Sequence, residues 1–546
     1  MALSKKPEGF LSRNGKPKLR ILLSALLVVV ALVNVFSEQL AVSFNFESFW
    51  SFRKAPKKNV IFFVTDGMGP ASLSLSRSFK QYTQDLPIDD VLTLDDHFIG
   101  SSRTRSSDSL ITDSAAGATA FSCGLKSYNG AIGVDSDKNP CGTLLEGAKL
   151  QGYLTGLVVT TRITDATPAA FSAHADYRFQ EDLIALHQLG EYPLGRSVDL
   201  MLGGGRTHFY PPDANSKYGS HGSRADGRNL IKEAQEDGWQ YAGSREEFDQ
   251  LQNGHNVSLP LLGLFADNDI PFDIDRKDDE YPSLEEEAMT AINALTKATE
   301  DSDKGFFLMI EGSRIDHAGH QNDPAAQARE VLAFDRAFKA VIEYVENSDT
   351  ETIIISTSDH ETGGLTIGRQ VTPQYPEYIW FPRILEQANH SGEYLTSKFL
   401  AFKDSASKKD ERSFVKEELF EKGLSIKDYT EDDVDAIISA PDSGRIKDKL
   451  NDMVSFRAEI GWTTHGHSAV DVNIYAYANK ESTWKTLLHK LQGNHENTEI
   501  GQFMADFLEI DFAEVTEKVR DTKHSPKPAD VSAQSDLHDE YYHKLN

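Results

Sequence analysis

The chain has 546 residues, of which 39% are hydrophobic and 26% charged, so it holds enough apolar material for a large buried core. Its formal net charge is −28, and this excess of acid would repel a phosphate backbone, which excludes nucleic acid as an expected partner. Small anionic substrates stay open, because a local cluster of cations or metal ions overrides the global field.

The N-terminal 37 residues differ from the rest of the chain. Residues 1–20 carry six basic side chains and one acid, and residues 21–37 (ILLSALLVVVALVNVFS) carry no charge. A cleaved signal peptide is the alternative, but its apolar region is normally shorter, and no small-x-small site precedes Glu38. We therefore expect an uncleaved transmembrane signal anchor, short enough for a thin endomembrane. The positive-inside rule then leaves the first 20 residues in the cytosol and the remainder in a lumen or outside, as in a type II membrane protein.

Two weaker signals agree with a secretory compartment. Asn256 and Asn389 each begin a glycosylation sequon, Asn-Val-Ser and Asn-His-Ser. The only cysteines, Cys123 and Cys141, are compatible with a disulfide in an oxidising lumen and equally with free buried thiols, since spacing alone does not establish bridge geometry.

After a lumenal tether at residues 38–58, the folded body is predicted to span residues 59–520. Short apolar runs, several rich in Val and Ile, recur along it, and such runs are typical of parallel strands buried on both faces. They are VIFFV (60–64), YLTGLVVTT (153–161), GFFLMI (305–310) and TIIIST (352–357). The stretch 324–347 has helical periodicity, with Asp335 as the one polar residue on its apolar face. Strands that alternate with helices predict an α/β fold with a doubly wound, mostly parallel central sheet flanked by helices.

Two segments depart from this pattern. Residues 371–450 are polar, charged and short of strand patterns, which indicates a surface insertion rather than sheet core. Residues 521–546 have the composition of a disordered or removable tail.

Carboxylates and histidines follow several predicted strands at their carboxyl ends, where ligands bind in open α/β sheets. Asp66 follows the first strand, Glu311 the third, and Asp359 with His360 the fourth. Hard oxygen ligands suit Mg²⁺, and mixed oxygen and imidazole sets suit Zn²⁺, so this convergent set predicts a multi-metal site. Further ligand-type residues of the same set are Asp316, His320 and His465.

Ser114 is the nucleophile candidate. It follows Asp113 and opens a run of small helix-forming residues, and a helix N-terminus attracts phosphate and stabilises an oxyanion. For an isolated motif, an ordinary helix cap explains the same residues. The metal-ligand set favours the catalytic interpretation, because no general-base histidine is apparent beside this serine and a Zn²⁺ ion can hold it as an alkoxide.

Six segments resemble, in order, the metal and nucleophile motifs of the alkaline phosphatase family. They are VTDGMG (64–69), TDSAAGATA (112–120), TTRITDATPAA (160–170), EGSRIDHAGH (311–320), TSDHETGG (357–364) and TTHGHS (463–468). With its basic tail and anchor, the chain most resembles the fungal vacuolar members of that family. The resemblance therefore implies phosphomonoester hydrolysis in the vacuolar lumen by a membrane-anchored homodimer.

The resemblance also implies two Zn²⁺ ions and one Mg²⁺ ion. Their ligands would be Asp316, His320 and His465 for the first zinc, Asp359 and His360 for the second, and Thr167 and Glu311 for the magnesium, with Asp66 bridging the last two ions. Ser114 would be the phosphorylated nucleophile, and Arg178 would bind two phosphate oxygens through its planar guanidinium.

The residues predicted to flank the phosphate combine features of two types of alkaline phosphatase. The resemblance implies Asp and Lys at two flanking positions in the bacterial type and His at both in the animal type, whereas this chain carries Asp165 and His317. Asp165 favours Mg²⁺ in the third site, and His317 is a weaker permanent cation than Lys, so we expect looser retention of phosphate. For His467, two residues after His465, the sequence leaves two roles open: a side chain that supports the metal ligands, or an ordinary loop histidine.

Two other function classes compete with this interpretation. A sulfatase or phosphodiesterase of the same superfamily would use a modified cysteine or a threonine as nucleophile, and the Asp-Ser-Ala sequence at 113–115 disfavours both. A membrane-tethered, non-catalytic phosphate or metal binding protein would have no need of the nucleophile together with the full ligand set.

Overall fold

The computed structural model describes residues 57–520 apart from residues 192–193, 215, 220 and 404–406. The predicted basic tail and anchor, the tether up to residue 56 and the tail at 521–546 lie outside the described residues. Within the described part of the chain, no helix combines the length and apolarity needed to cross a bilayer.

The strands are short, and most come directly before a helix or a loop that carries polar side chains. Their bounds are β1 (Lys58–Val64), β2 (Phe98–Arg103), β3 (Leu154–Arg162), β4 (Leu200–Gly204), β5 (Gln240–Ala242), β6 (Leu261–Leu264), β7 (Phe306–Glu311), β8 (Glu351–Thr357), β9 (Glu361–Thr362), β10 (Thr366–Ile367), β11 (Ile460–Gly461), β12 (His467–Ser468), β13 (Val472–Ala478) and β14 (Gly493–Glu496).

The helices alternate with these strands over the first two thirds of the body. The α-helices are α1 (Pro70–Thr83), α2 (Thr93–Asp96), α3 (Ser114–Cys123), α4 (Leu144–Leu150), α5 (Ala166–Ser172), α6 (Glu181–Leu189), α7 (Leu230–Glu236), α8 (Arg245–Asp249), α9 (Leu284–Ala298), α10 (Arg314–His320), α11 (Pro324–Glu346), α12 (Pro382–Gln387), α13 (Gly392–Lys403), α14 (Lys408–Phe414), α15 (Glu431–Ile438), α16 (Ser443–Ala458), α17 (Glu481–Leu491), α18 (Asn497–Leu508) and α19 (Phe512–Arg520). A 3₁₀ turn covers Arg206–Phe209, and a π-helical stretch, Val415–Gly423, continues α14.

Among the described residues, ten strands form one sheet in the order β14-β2-β13-β8-β1-β7-β3-β4-β6-β5. Only β13 runs against its neighbours β8 and β2, and every other pair is parallel. The predicted α/β class with a mostly parallel central sheet is therefore confirmed. All four predicted strands are present as β1, β3, β7 and β8.

The position of β1 in the middle of the sheet explains why its sequence is continuously apolar. Val60, Phe62 and Val64 pack into the core on one face of the sheet, and Ile61 and Phe63 pack into the core on the other face. Successive side chains of a strand point to opposite faces, so a strand covered on both sides needs no polar alternation. Phe63 makes edge contacts with Phe334 and Phe338 of α11, which covers the second face.

Asp335, the polar exception of α11, caps the short helix α2. Its two carboxylate oxygens accept hydrogen bonds from the backbone N–H groups of Leu94 (2.9 Å) and Thr93 (3.2 Å). The first N–H groups of a helix have no partner within the helix, and burial without one is costly. Asp335 therefore belongs to the core because it satisfies these donors.

The polar segment at 371–450 is helical, and its described residues contribute no strand. Helices α12 to α16 enclose a hydrophobic cluster of their own, which includes Phe399, Leu419 and Leu450 and reaches Leu75 and Phe79 of α1. Because helices alternate polar and apolar faces with a 3.6-residue period, a segment that is polar on average still packs a core.

Cys123 and Cys141 form a disulfide, which decides between the two alternatives left open by their spacing. Cys123 is the last residue of α3, the helix that begins at Ser114. The bridge therefore joins the nucleophile helix to the loop that follows it.

We predict that Asp335→Ala lowers the free energy of unfolding by about 2 kcal/mol, because it leaves the half-buried Thr93 N–H and the buried Leu94 N–H without an acceptor. Urea unfolding measures the change. Glu343→Ala, an exposed position on the same helix, is the matched control and should change stability by less than about 0.5 kcal/mol. Equal effects of the two substitutions would contradict the capping role.

Candidate active site

Four strands deliver polar side chains to one edge of the sheet. Val64 at the end of β1 lies opposite Glu311 of β7 and Thr357 of β8, and Val159 of β3 also lies opposite Glu311. The residues that follow these strands, among them Asp66 and Asp359, therefore emerge side by side. This is the carboxyl edge at which open α/β sheets bind ligands.

The nucleophile candidate occupies the first position of α3. Asp113 is the N-cap and accepts a hydrogen bond from the Ala116 N–H (3.0 Å), and Ser114 is 2% exposed. Ser114 Oγ lies 3.0 Å from His360 Nε2. The helix approaches the sheet closely because residue 117 is glycine, where an added Cβ would lie 2.8 Å from the Asp359 Cβ.

One group of possible metal ligands surrounds His360. Its Nε2 lies 3.2 Å from Asp359 Oδ2 and 3.5 Å from Asp66 Oδ1, and all three side chains are buried. The Asp66 Oδ1 atom accepts no hydrogen bond from the described residues. A buried carboxylate oxygen without a donor fits a cation, which would supply the missing partner.

A second group is built on α10. Asp316 and His320 are four residues apart, so the helix places them on one face, and His320 Nε2 lies 3.3 Å from Asp316 Oδ2. His467 completes the group, with its Nε2 3.1 Å from His320 Nε2 and 3.6 Å from Asp316 Oδ1. Asp316, His360 and His467 present ligand atoms within 4.8 Å of one another.

The structure brings the His467 side chain, rather than the predicted His465 side chain, to the Asp316 group. The His465 side chain is 50% exposed, and its Nε2 lies near Asp448, away from the carboxylate cluster. Bends at residues 465 and 466 break the strand alternation before β12, whose His467 pairs with Thr362 of β9. His465 contributes its backbone carbonyl, which accepts a hydrogen bond from His320 Nδ1 and so leaves His320 Nε2 directed at Asp316.

Thr167 and Glu311 lie on the side of the cluster nearer β3. Thr167 is the second residue of α5, and Asp165 is the N-cap of that helix. Glu311 is 1% exposed and accepts a hydrogen bond from Ser313 Oγ (2.6 Å). Oxygen donors alone are what a hard cation such as Mg²⁺ prefers.

The cluster concentrates negative charge in a buried place. Burial raises the pKa of Asp66 well above its usual range, and the nearby Asp359, Asp316 and Glu311 carboxylates act in the same direction. Burial also raises the pKa of Glu311 to about 8. Divalent cations would reverse these shifts by favouring the charged carboxylates, so the donor set fits bound metal.

His467 is suited to bind a metal ion in its neutral form. Burial lowers the pKa of His467 well below its ordinary value, and the neighbouring His360 and His320 act in the same direction. A metal ligand must offer an unprotonated nitrogen, and His467 keeps Nε2 free for this because its Nδ1 lies 2.7 Å from the Thr112 carbonyl oxygen.

Arg178 is held beside Ser114 by two carboxylates. Its Nη1 lies 3.3 Å from Asp113 Oδ2 and its Nη2 lies 3.2 Å from Asp165 Oδ1. Burial opposes the charge on Asp165, yet the Arg162 and Arg178 guanidiniums hold the pKa of Asp165 below its ordinary value. The fork that would bind phosphate is therefore preorganised rather than loose.

His317 lies one residue beyond Asp316 on α10, with its Nδ1 3.5 Å from Asp269 Oδ2. Burial lowers the pKa of His317, although Asp269 opposes that shift. The sequence does not identify the contacts of Asp113 with Arg178 or of Asp269 with Arg162 and His317, because they join segments that are distant in the chain.

A family model described as alkaline phosphatase matches residues 57–510. The chain belongs to the alkaline phosphatase family.

The similarity extends over nearly the whole chain. This chain is 63% identical to the repressible alkaline phosphatase of Saccharomyces cerevisiae, over 97% of its own length and 95% of that protein. It is 50% identical to an alkaline phosphatase of Schizosaccharomyces pombe, over 85% and 84% of the two chains. The crystal structure of a cold-active alkaline phosphatase from a Shewanella species covers 82% of this chain and 99% of its own, with a TM-score of 0.67 and 30% identity. The family resemblance is thereby confirmed, and the chain is an enzyme of the class that hydrolyses phosphate monoesters.

We predict that His467→Ala removes about one metal ion per chain and lowers phosphatase activity by about 100-fold, because it deletes a side chain of the Asp316 group. His465→Ala is the matched control, since its side chain lies outside the group, and it should retain metal content and activity within about 3-fold. Elemental analysis of the purified variants and an aryl phosphate assay measure both quantities. A larger loss of metal and activity in His465→Ala than in His467→Ala would instead support His465 as the metal ligand.

Proposed function

We propose that this enzyme hydrolyses phosphate monoesters through a covalent phosphoserine at Ser114, with two Zn²⁺ ions and one Mg²⁺ ion as cofactors. The observation that carries the proposal is the arrangement of Ser114 Oγ against His360 Nε2, the atom that also faces Asp359 and Asp66. In a Ser-His-Asp triad, the carboxylate would contact the opposite ring nitrogen. Here the carboxylates and the serine share one nitrogen of the ring, as expected around a metal ion.

The two metal groups differ in chemistry. Asp316, His320 and His467 would hold one zinc, and Asp359 with His360 would hold the other, since mixed oxygen and imidazole donors suit Zn²⁺. The magnesium would be held by oxygen donors alone, from Thr167 and Glu311. Asp66 would bridge the magnesium to the second zinc. When bound, these ions supply positive charge to the entering and leaving oxygens of an in-line displacement and favour ionised oxygen nucleophiles.

The chain's own residues set the geometry of the reaction. Ser114 Oγ attacks the phosphorus atom, and the ester oxygen leaves on the opposite side. The α3 N-terminus directs backbone N–H groups and a partial positive charge toward the phosphoryl group. Arg178, fixed by Asp113 and Asp165, binds two phosphoryl oxygens in its fork. Water then attacks the phosphorus of the phosphoserine, the P–Oγ bond breaks, inorganic phosphate leaves, and Ser114 returns to its starting state.

The competing functions are less well supported. A non-catalytic binding protein would not need a buried serine at a helix N-terminus beside an arginine held by two acids. A sulfatase or phosphodiesterase would use a different nucleophile, and the first helical residue here is serine. The similarity to two fungal alkaline phosphatases also favours the phosphomonoesterase.

We also propose that the enzyme is a type II membrane protein of the vacuole, with its catalytic body in the lumen, and that it forms a homodimer. The Cys123–Cys141 disulfide supports an oxidising compartment. Asn256 and Asn389 are both exposed, as glycosylation requires. The charge-free segment 21–37 supports the anchor, and the family resemblance supports the vacuole and the dimer.

We predict that purified full-length protein hydrolyses an aryl phosphate monoester, and that Ser114→Ala or a chelator lowers the rate by about 1,000-fold or more, because each removes an essential part of the nucleophilic step. Ser109→Ala, in the exposed loop before α3, is the control and should keep full activity. Trapping of ³²P-labelled phosphoserine in the wild type, but not in Ser114→Ala, would identify the intermediate. Activity that survives Ser114→Ala would contradict the mechanism.

Mass determination of the mature protein tests the compartment. We expect glycan mass that disappears in the Asn256→Gln/Asn389→Gln variant, since both sequon asparagines are exposed. An unmodified mass for the wild-type protein from the native host would contradict a lumenal orientation. The same spectrum reports whether residues 521–546 are removed.

A further inference from the structure

Asp269 lies in the loop after β6, and this loop is fastened to both elements that flank the phosphate site. The Ile270 N–H donates to the carbonyl of Thr160 in β3 (3.0 Å). The Ile270 carbonyl accepts a hydrogen bond from Arg314 Nη1 at the start of α10 (3.2 Å). The loop therefore has a fixed position relative to the strand that leads to Asp165 and the helix that carries His317.

The two carboxylate oxygens of Asp269 serve different elements. Oδ1 faces β3, where it accepts hydrogen bonds from Thr161 Oγ1 (2.7 Å), from the Arg162 N–H (3.1 Å) and from Arg162 Nη1 (2.8 Å). Oδ2 faces α10, where it lies 3.5 Å from His317 Nδ1 and 3.6 Å from Arg314 Nη1. One carboxylate thus spans the gap between the two elements.

The β3 partners of Asp269 also hold Asp165. Arg162 Nη2 lies 2.9 Å from Asp165 Oδ2, and Thr161 Oγ1 lies 3.0 Å from the same oxygen. The other oxygen of Asp165 contacts Arg178. A continuous chain of polar contacts therefore runs from His317 through Asp269 and Arg162 to Asp165, and ends at the arginine that would bind phosphate.

We propose that Asp269 is a positioning residue that holds Asp165 and His317 in one geometry around Arg178 and thereby sets the affinity of the site for inorganic phosphate. The proposal rests on the proposed function, since it takes the Arg178 site to be the phosphate site. Asp269 does not touch the substrate. It acts through the orientation of the two side chains that flank the phosphate.

Asp269→Asn is the informative substitution, because it keeps the size and replaces one acceptor oxygen with an NH₂ donor. Whichever way the amide turns, its NH₂ faces the guanidinium of Arg162 or of Arg314, which can only donate. One of the two elements therefore loses its anchor. Asp267→Asn is the matched control on the same loop, because the Asp267 carboxylate pairs with Arg206 (2.7 Å).

Isothermal titration of the metal-loaded full-length protein with inorganic phosphate measures the effect, together with the phosphate inhibition constant against an aryl phosphate. We expect Asp269→Asn to raise both constants about 10-fold, and Asp267→Asn to change them less than about 2-fold. Thr161→Val removes only the hydroxyl that joins Asp165 to Asp269. It should shift the constants in the same direction by about 3-fold, which keeps the test available if Asp269→Asn folds poorly.

The combination with His317→Ala separates positioning from a general structural effect. If Asp269 acts through His317 as well as Asp165, the effect of Asp269→Asn in the His317→Ala background should be clearly smaller than the 10-fold change in the wild type. Unchanged phosphate affinity in both Asp269→Asn and Thr161→Val, or the same 10-fold loss in the His317→Ala background, would overturn the proposal. Failure of the wild type to bind phosphate would instead contradict the proposed function, and this inference with it.

Discussion

The constraint on which the structure depends is the collection of buried carboxylates at one edge of the sheet. Parallel strands bring their carboxyl ends together, so β1, β7 and β8 necessarily deliver Asp66, Glu311 and Asp359 to one place. In a medium of low dielectric constant, such charges repel one another and lose their hydration. The surrounding elements are arranged to supply cations to this cluster or to hold ligands for them.

Two kinds of positive charge can balance this cluster. Histidine and carboxylate donors from four separate segments form groups that fit metal ions. Permanent guanidinium cations balance the neighbouring acids: Arg178 lies between Asp113 and Asp165, and Arg162 faces Asp165 and Asp269. Because Asp165 belongs to both arginine pairs, the phosphate-binding fork and the Arg162 ion pairs form one connected network.

Much of the fold could be predicted from the sequence, because strands buried on both faces must be apolar throughout, and β1, β3, β7 and β8 are. The edge strands could not be predicted in this way. β14, with the sequence GNHE, is half exposed and polar, and only its pairing with β2 identifies it as a strand. The helical core of residues 371–450 also depends on packing against α1, which average polarity does not reveal.

The candidate site could likewise be predicted only where it depends on local sequence. Candidate ligands that directly follow a strand or share one helix face, such as Asp66 or Asp316 with His320, can be predicted from local order along the chain. His467 was not assigned, because the bend at residues 465 and 466 and the pairing of β12 with β9 arise from contacts distant in sequence. Asp335 likewise had no apparent role until its partners, the N–H groups of α2, were known.

Anomalous diffraction at the zinc absorption edge, from crystals of the purified protein, is the most direct test of the two-zinc site. We expect two zinc peaks per chain, one among Asp316, His320 and His467 and the other among Asp66, Asp359 and His360, with Ser114 Oγ adjacent to the second. A single zinc peak, or a peak bound by the His465 side chain, would contradict the account.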